Sequence, residues 1–590
     1  MRQSIIKKFI KKAIQRNLIN QQALESFKKE YCRELRKTET KFHILSNSDV
    51  KKAYLKMLKS KEITPNLNLE KLLITKKIRT LSGVAVVAVL TKSYPCPGKC
   101  IYCPSEKTMP KSYLSNEPAV MRAIANKFHP YAQTQSRLKM LEINGHSLEK
   151  IETIVMGGTF SYLPHRYQNW FTKECFRALN DYPKNLIKNS RKSTLEIEKK
   201  RNETAKNRMI GLTLETRPDY IDKKEIENFR KLGATRVELG VQSIFDDVLK
   251  ANNRGHQVQS TVKATKLLKE AGFKINYHVM PGMYKSSPKQ DLKMFKILFS
   301  NPDFQPDMLK IYPCVVTKNS EIYNLWKKGI YKPLNNAQIK KLLIKIKKII
   351  PPYVRITRLI RDIPEESIEA GPNISNLRQI LQQEKVQCEC IRCREIRADY
   401  LGTISKPQFS SKFSNFGYNL FYKVYKYTIF KNFLQLRFAQ NFKTWLEKRV
   451  QKQSLPKEII LNRIDYPASD GTEIFLQFTS KDQKKLFALL RLRINSGATN
   501  KNHFLPVLKN SALIRELHTY GQSTGLNQKN SDSPQHLGLG KKLIKEAEKI
   551  AREEFNSKKI AIIAGVGVRK YYENKLGYKL ENEYMTKKLV

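Results

Sequence analysis

Ser93-Tyr94-Pro95-Cys96-Pro97-Gly98-Lys99-Cys100-Ile101-Tyr102-Cys103-Pro104 places three of the chain's nine cysteines within eight positions, spaced C-x3-C-x2-C. Just upstream, Gly83 to Leu90 reads GVAVVAVL, a short β-branched apolar run of the length of a buried strand. The cysteines are therefore predicted on a loop leaving the C-terminal end of a strand, where barrels and open α/β sheets place their chemistry. A structural zinc takes four protein ligands, and nothing from Tyr94 to Lys111 supplies a convincing fourth. A [4Fe–4S] cluster is normally held by four thiolates. Three on one tight loop leave one iron free for another ligand, and the amino and carboxylate groups of S-adenosylmethionine can fill that place.

Downstream, strand and helix patterns alternate to about residue 360. Candidate strands are Val84–Leu90, Ile151–Met156, Met209–Leu214, Arg236–Val241, Lys274–Met280 and Met308–Tyr312, with Val354–Leu359 as a further candidate. Helical stretches such as Ile221–Leu232, Val258–Ala271 and Gln290–Ser300 lie between them, with stops at Gly233 and Gly272. Six parallel βα units make an incomplete barrel whose mouth lies at the strand C-termini. Polar and glycine signals recur at those ends. They are Met156-Gly157-Gly158-Thr159, Leu214-Glu215-Thr216-Arg217-Pro218-Asp219, Glu238 to Ser243 with Gln242, Arg254 shortly after, and His278 and Lys310.

The chain is 590 residues long, with 110 Lys and Arg against 53 Asp and Glu, a formal charge of +57. That excess points to a polyanionic partner, nucleic acid first. Nine cysteines gathered mainly in two clusters read as metal ligands in a reducing compartment rather than as a disulfide framework. The first twelve residues are basic with lysines breaking the apolar runs, so no secretory core is expected, and no window is apolar enough for a membrane span. A cytoplasmic protein with no membrane association is expected. Residues 1–80 carry 21 Lys and Arg against 7 acids with helical periodicity, and read as a basic helical arm. Residues 184–208 read as a basic surface insertion.

The second cysteine cluster is Cys388-Glu389-Cys390-Ile391-Arg392-Cys393, C-x-C-x2-C, suited to zinc with a fourth ligand from Cys314 or a histidine. Residues 401–455 interleave ten or so aromatics with lysines and read as a helical insertion. Beyond them comes a separate α/β unit. Its predicted parts are antiparallel strands Glu473–Phe478 and Lys485–Arg493, a strand at Arg515–Tyr520, a helix Lys541–Phe555 and a strand Ile560–Ala564. The glycine-rich Gln535-His536-Leu537-Gly538-Leu539-Gly540 at the helix start suits a pyrophosphate held by backbone N–H groups and the helix dipole. The domain plan is thus 1–80, 81–365, 366–400, 401–455 and 456–590: helical arm, barrel, zinc linker, insertion and C-terminal α/β domain.

The cysteine loop after a first strand resembles the radical-SAM superfamily, and the C-terminal glycine loop with Val568–Tyr578 resembles the acetyl-CoA fold of GNAT acetyltransferases. The two in this order, joined by a cysteine cluster, resemble the catalytic subunit of Elongator and its stand-alone bacterial and archaeal counterparts. That resemblance implies a partial (β/α)6 radical-SAM barrel plus a GNAT domain, using SAM-derived radical chemistry and acetyl-CoA to install a carboxymethyl-type group at C5 of the anticodon wobble uridine of tRNA. It implies that Cys96, Cys100 and Cys103 hold the [4Fe–4S] cluster and that Cys388, Cys390 and Cys393 hold zinc. It also implies that Gly157, Gly158, Glu215, Gln242 and Arg254 serve S-adenosylmethionine. Lys150, Glu516, Leu517, His518, Thr519, Gln535, Gly538, Leu539, Gly540, Lys541 and Tyr572 would serve acetyl-CoA, with Tyr571, Tyr572 and Lys150 nearest the chemistry. The partners implied are the tRNA anticodon stem-loop, acetyl-CoA and SAM; a homodimer or accessory subunits stay open. A protein lysine acetyltransferase with a structural iron–sulfur cluster is the alternative reading, and a radical-SAM tRNA methylthiotransferase and an inactive tRNA-binding scaffold are further rivals.

Overall fold

The computed structural model describes residues 2–36, 45–75, 83–187, 193–396, 459–521 and 538–589. The alternating pattern becomes seven parallel strands in chain order: β1 (Ala85–Leu90), β2 (Lys150–Met156), β3 (Arg208–Thr216), β4 (Arg236–Gln242), β5 (Lys274–Val279), β6 (Met308–Ile311) and β7 (Arg355–Arg358). Six βα units were expected, and the candidate seventh strand pairs with β6 to extend the sheet. On β2, Ile151 and Val155 are buried in the core under the outer helices, whereas Glu152, Ile154 and Met156 face the lumen. Period-two alternation thus separates the face packed under the helices from the face turned to the lumen. The helix Lys223–Leu232 starts where the Asp222 carboxylate accepts from the Glu225 N–H and stops at left-handed Gly233.

The second unit is a seven-stranded sheet in the order β13-β14-β12-β11-β10-β9-β8, made of β8 (Ile459–Pro467), β9 (Gly471–Ser480), β10 (Leu486–Asn495), β11 (Ser511–Thr519), β12 (Lys559–Ile562), β13 (Lys579–Glu581) and β14 (Tyr584–Lys588). All its pairs are antiparallel except β11 with β12, whose crossover contains the helix Leu539–Glu553. The expected hairpin β9–β10 is present, with Glu473 opposite Arg493. Strands β8, β13 and β14 were not anticipated. β8 interleaves polar Asn462, Arg463 and Asp465 with its apolar residues, and β13 is three exposed residues, so neither carries an apolar run.

Two surface readings change. The N-terminal residues are more than an arm: helices Arg2–Gln15, Gln21–Arg36 and Asn47–Lys59 close around Phe9, Phe27, Tyr31 and Tyr54, with Phe9 and Phe27 stacked at 5.0 Å. Within 184–208, the helix Leu195–Asn202 is no surface insertion. Its Lys199 is buried and reaches Glu583 of the second unit at 2.6 Å. The 401–455 insertion lies outside the described residues. Among the described residues, no helix is long and apolar enough to cross a membrane.

The second sheet docks on the floor of the half-barrel, where its strands begin. Asp307, just before β6, meets Arg515 of β11 at 2.6 Å, and Arg515 also holds Glu473 of β9 at 2.7 Å. Arg491 of β10 donates to the Tyr353 carbonyl at 2.6 Å, and Tyr353 stacks on Tyr466 at 3.9 Å. Gly565 lies so close to β3 that a Cβ there would fall 2.0 Å from the Ile210 carbonyl oxygen, so a hydrogen is the largest substituent the contact admits.

Candidate active site

A cavity of about 660 Å³ occupies the half-barrel. Its upper wall includes Cys96, Cys100, Cys103, Gly158, Glu215, Gln242 and Arg254, and its lower wall Glu152, Arg236, Met308 and Arg355, which stand at or near strand starts. It therefore runs from the cysteine loop down to the floor on which the second sheet sits.

At the mouth, the cysteine loop is braced by two arginines. The Arg254 guanidinium lies 3.5 Å from Cys100 Sγ and that of Arg217 3.9 Å from it. The hydrogen bond from Cys103 and the charge of Arg254 hold the Cys100 thiol down to about 4, against the opposing pull of burial. Arg217 itself is clamped by Asp219 at 2.9 Å. After β2, Gly157 has φ +141° and a Cβ there would overlap Thr91 Oγ1, so the chain can follow this path only as glycine. The Gly157 N–H points to Glu215 Oε2 at 3.4 Å, and Tyr113 donates to the same oxygen at 2.6 Å. Gln242 Oε1 is buried in the wall with no hydrogen-bond partner among the described residues. A loop of three thiols with two guanidiniums on Cys100, a glycine cradle and an unmet amide acceptor form a donor set that fits an iron–sulfur cluster and the amino-acid end of a nucleotide.

Deeper in the lumen, Glu238 is fully enclosed. Burial would push its carboxyl up, but Lys310 and His278 hold it well below the usual range. His278 bonds it at 3.1 Å and also faces Glu215 at 3.7 Å. His278 and Lys310, singled out in the sequence as strand-end residues, thus join one polar ladder from mouth to mid-barrel. Arg236 continues it, 2.7 Å from Glu152.

In the second unit, Leu539, Gly540 and Lys541 form the first turn of the helix Leu539–Glu553, and left-handed Gly538 at its start supplies no side-chain cap. Gly540 lies against Leu517 and Thr519 of β11, which gathers that part of the predicted acetyl-CoA set. The Glu516 carboxylate is engaged elsewhere, with Lys274 at 3.4 Å and Arg491 at 2.9 Å. Tyr571 and Tyr572 sit on the helix Arg569–Leu576 with rings 5.4 Å apart. Tyr572 is buried, with its hydroxyl pushed up by that burial, and Tyr571 is partly exposed. Lys150 opens β2 at the barrel floor, and burial lowers its ammonium below the usual lysine value. Gln535 lies outside the described residues.

The sulfur atoms of Cys388, Cys390 and Cys393 lie within 4.8 Å of one another, and they are the group among the described residues drawn together tightly enough to clasp an ion. Hydrogen bonds from Cys388 and Cys393 hold the Cys390 thiol well below its usual value. Cys314 does not complete this set: it packs at the mouth beside Cys100, Tyr102 and Tyr331. Arg355, Arg358 and Arg361, which the sequence clusters at the last strand of the barrel, are each paired with a carboxylate: Arg355 with Glu395 at 2.8 Å, Arg358 with Asp362 at 2.8 Å and Arg361 with Glu117 at 3.0 Å. Sequence reading missed Tyr113, Glu117 and Asp307, which sit in loops without a motif.

A model of the Radical SAM superfamily matches residues 91–295, and one of the Radical_SAM C-terminal domain matches 306–386. The tRNA uridine(34) acetyltransferase of Methanocaldococcus infernus is 43% identical over 525 residues, 87% of each chain. That of Dehalococcoides mccartyi is 41% identical over 522 residues, covering 87% of this chain and 99% of the relative. Human (Homo sapiens) Elongator complex protein 3 is 35% identical over 525 residues, 87% of this chain and 86% of the relative. A solved structure of archaeal Methanocaldococcus infernus Elp3 with an N-terminal deletion superposes with a TM-score of 0.66 at 39% identity, covering 86% of this chain and 99% of that one.

Proposed function

We propose that this chain, which belongs to the family of the tRNA uridine(34) acetyltransferases and Elongator complex protein 3, is a tRNA-modifying enzyme that installs a carboxymethyl-type group at C5 of the anticodon wobble uridine. The observation that carries the reading is the cavity that joins the cysteine loop to the barrel floor, beneath which the second sheet is docked. The unit proposed to carry the acyl group is thereby joined to the base of that lumen. When bound, the iron–sulfur cluster with S-adenosylmethionine supplies one-electron chemistry that can activate an unreactive carbon, and acetyl-CoA supplies the two-carbon unit.

The chain's own residues hold and orient these groups. Cys96, Cys100 and Cys103 anchor the cluster, and Arg254 and Arg217 neutralise thiolate charge. Gly157, Gly158, Glu215 and Gln242 present backbone and side-chain polar groups to the amino-acid and ribose ends of the nucleotide. The first turn at Leu539–Lys541, led by Gly538, offers N–H groups and the helix dipole to a pyrophosphate. The backbone of Glu516–Thr519 runs beside it, and Tyr572, Tyr571 and Lys150 serve the acetyl group. Cys388, Cys390 and Cys393 hold zinc, which stiffens the linker between the units. The positive excess draws the tRNA anticodon stem-loop to the mouth.

The test is anaerobic reconstitution followed by nucleoside mass spectrometry of tRNA incubated with SAM and acetyl-CoA. The carboxymethyl-type nucleoside is expected only when both are present. Acetylated protein in place of modified tRNA would move the assignment to the lysine acetyltransferase reading, and nucleoside product with acetyl-CoA alone would overturn the SAM-dependent step.

A further inference from the structure

Three successive strand-end loops of the half-barrel each deliver one tyrosine to the rim: Tyr94 after β1, Tyr162 after β2 and Tyr220 after β3. Tyr94 and Tyr162 meet edge-on at 6.3 Å between ring centres, and Tyr162 and Tyr220 at 5.4 Å. The contacts cover only part of each ring. Tyr94 remains 38% exposed and Tyr162 41%, and Tyr220 is half-buried. Single exposed aromatics are ordinary, but a contiguous row of three at the lip of a cavity is not.

The row is tied to the site at both ends. Tyr94 stands two positions before Cys96. Tyr220 follows Asp219, whose carboxylate is gripped by Arg217 through Nε at 3.0 Å and Nη2 at 2.9 Å, and the other Arg217 nitrogen approaches Cys100 Sγ. Exposed Lys92 and Lys99 flank the row on the cysteine loop, and exposed Arg166 follows the second loop. Aromatic faces set among cations are what unpaired bases stack on, with the cations tracking the phosphates.

We propose that Tyr94, Tyr162 and Tyr220 form a stacking platform for unpaired RNA bases, and that it seats the loop nucleotides flanking the target uridine and so sets how that base enters the cavity. This rests on the tRNA reading above. A single-stranded loop satisfies it better than a duplex, whose base faces are already stacked.

The full-length, cluster-reconstituted enzyme is tested by fluorescence anisotropy against a labelled anticodon stem-loop RNA and against versions carrying one abasic site at each loop position in turn. Tyr162→Ala and Tyr94→Ala are each expected to weaken binding of the intact loop about ten-fold, within the range of one lost base–aromatic stack. Tyr162→Phe should bind as the wild type does. At least one abasic RNA should bind the wild type more weakly by the same factor, while Tyr162→Ala no longer distinguishes it from the intact loop. The platform is overturned if the alanine variants bind the intact loop like wild type, or if they lose the same factor on every RNA. Failure of the wild type to bind the intact loop would overturn the tRNA reading itself.

Discussion

The mouth and the floor of the half-barrel are built from the same kinds of residue and use them in opposite ways. At the mouth, Arg254 and Arg217 face thiols, Gln242 has an unmet acceptor and glycines clear space, so polar groups are turned toward a cavity. At the floor, Asp307, Arg515, Glu473, Arg491 and Arg493 are all buried and face one another. Charge enclosed against opposite charge joins two sheets; polar groups turned toward a cavity are ready for a ligand.

The sharpest way to break this contrast is at the mouth. Cys100→Ala removes the thiolate the two arginines brace. The reconstituted protein is expected to lose its iron–sulfur absorbance and modified nucleoside to fall below detection, while the melting of the second unit stays in place. Retained lysine-directed acetylation alongside lost tRNA product would show that the cavity has two separable uses.

The largest stability effect belongs to the floor. Asp307→Ala leaves Arg515 and Arg491 enclosed without their shared carboxylate. Orphaning one side of a buried pair typically costs about 3–5 kcal/mol, so denaturant titration should show a loss of that order, with the iron–sulfur spectrum of the folded fraction unchanged. A loss under about 1 kcal/mol would mean that the network is wetter than its burial indicates.

These two ends were not equally legible in the sequence. The mouth was, because ligand chemistry compresses its residues into short strings: three cysteines in eight positions, paired glycines, and polar residues at strand ends. Six of the seven parallel strands were read outright, and β7 as a candidate, because each is a brief apolar run. The floor was not, since Asp307, Arg491 and Arg515 are separated by up to 208 positions and an arginine in a strand reads as a solvent-facing residue until the opposing sheet is in place. The same blindness let Cys314 stand beside a histidine as a candidate fourth zinc ligand, since spacing alone cannot say that it lies at the mouth. Lys199, likewise, had the composition of a surface helix and the position of an interface residue.

The floor also predicts a dependence on acidity. Burial raises the Glu516 carboxyl, but Lys274 and Arg491 outweigh it and bring it down to about 2 from an ordinary 4.5. Because the folded value lies below the unfolded one, the contribution is complete above about pH 4.5 and is lost as pH falls toward 2. Over that interval it amounts to about 3 kcal/mol. Glu516→Gln should flatten the difference between stability at pH 5 and at pH 2.5, measured by thermal melting. A variant as acid-labile as the wild type would assign the effect to other carboxylates.

The smallest effect sharpens the comparison most. Lys266 and Asp470 also link the two units, at 3.1 Å, but their side chains are 45% and 50% exposed, against 0% for Arg515 and Asp307. The sequence separations and charges are similar, so solvent is the main variable. An exposed pair is weakened by water and salt and loses side-chain freedom on forming, which leaves about 0.2–1 kcal/mol. Lys266→Ala is therefore expected to shift stability by less than about 1 kcal/mol, and by still less at high salt, whereas the cost of Asp307→Ala should barely respond to salt. If both substitutions cost the same, enclosure is not what makes the floor an interface, and the division of labour between the two ends of the barrel would have to rest on packing at Gly565 and Tyr353 instead.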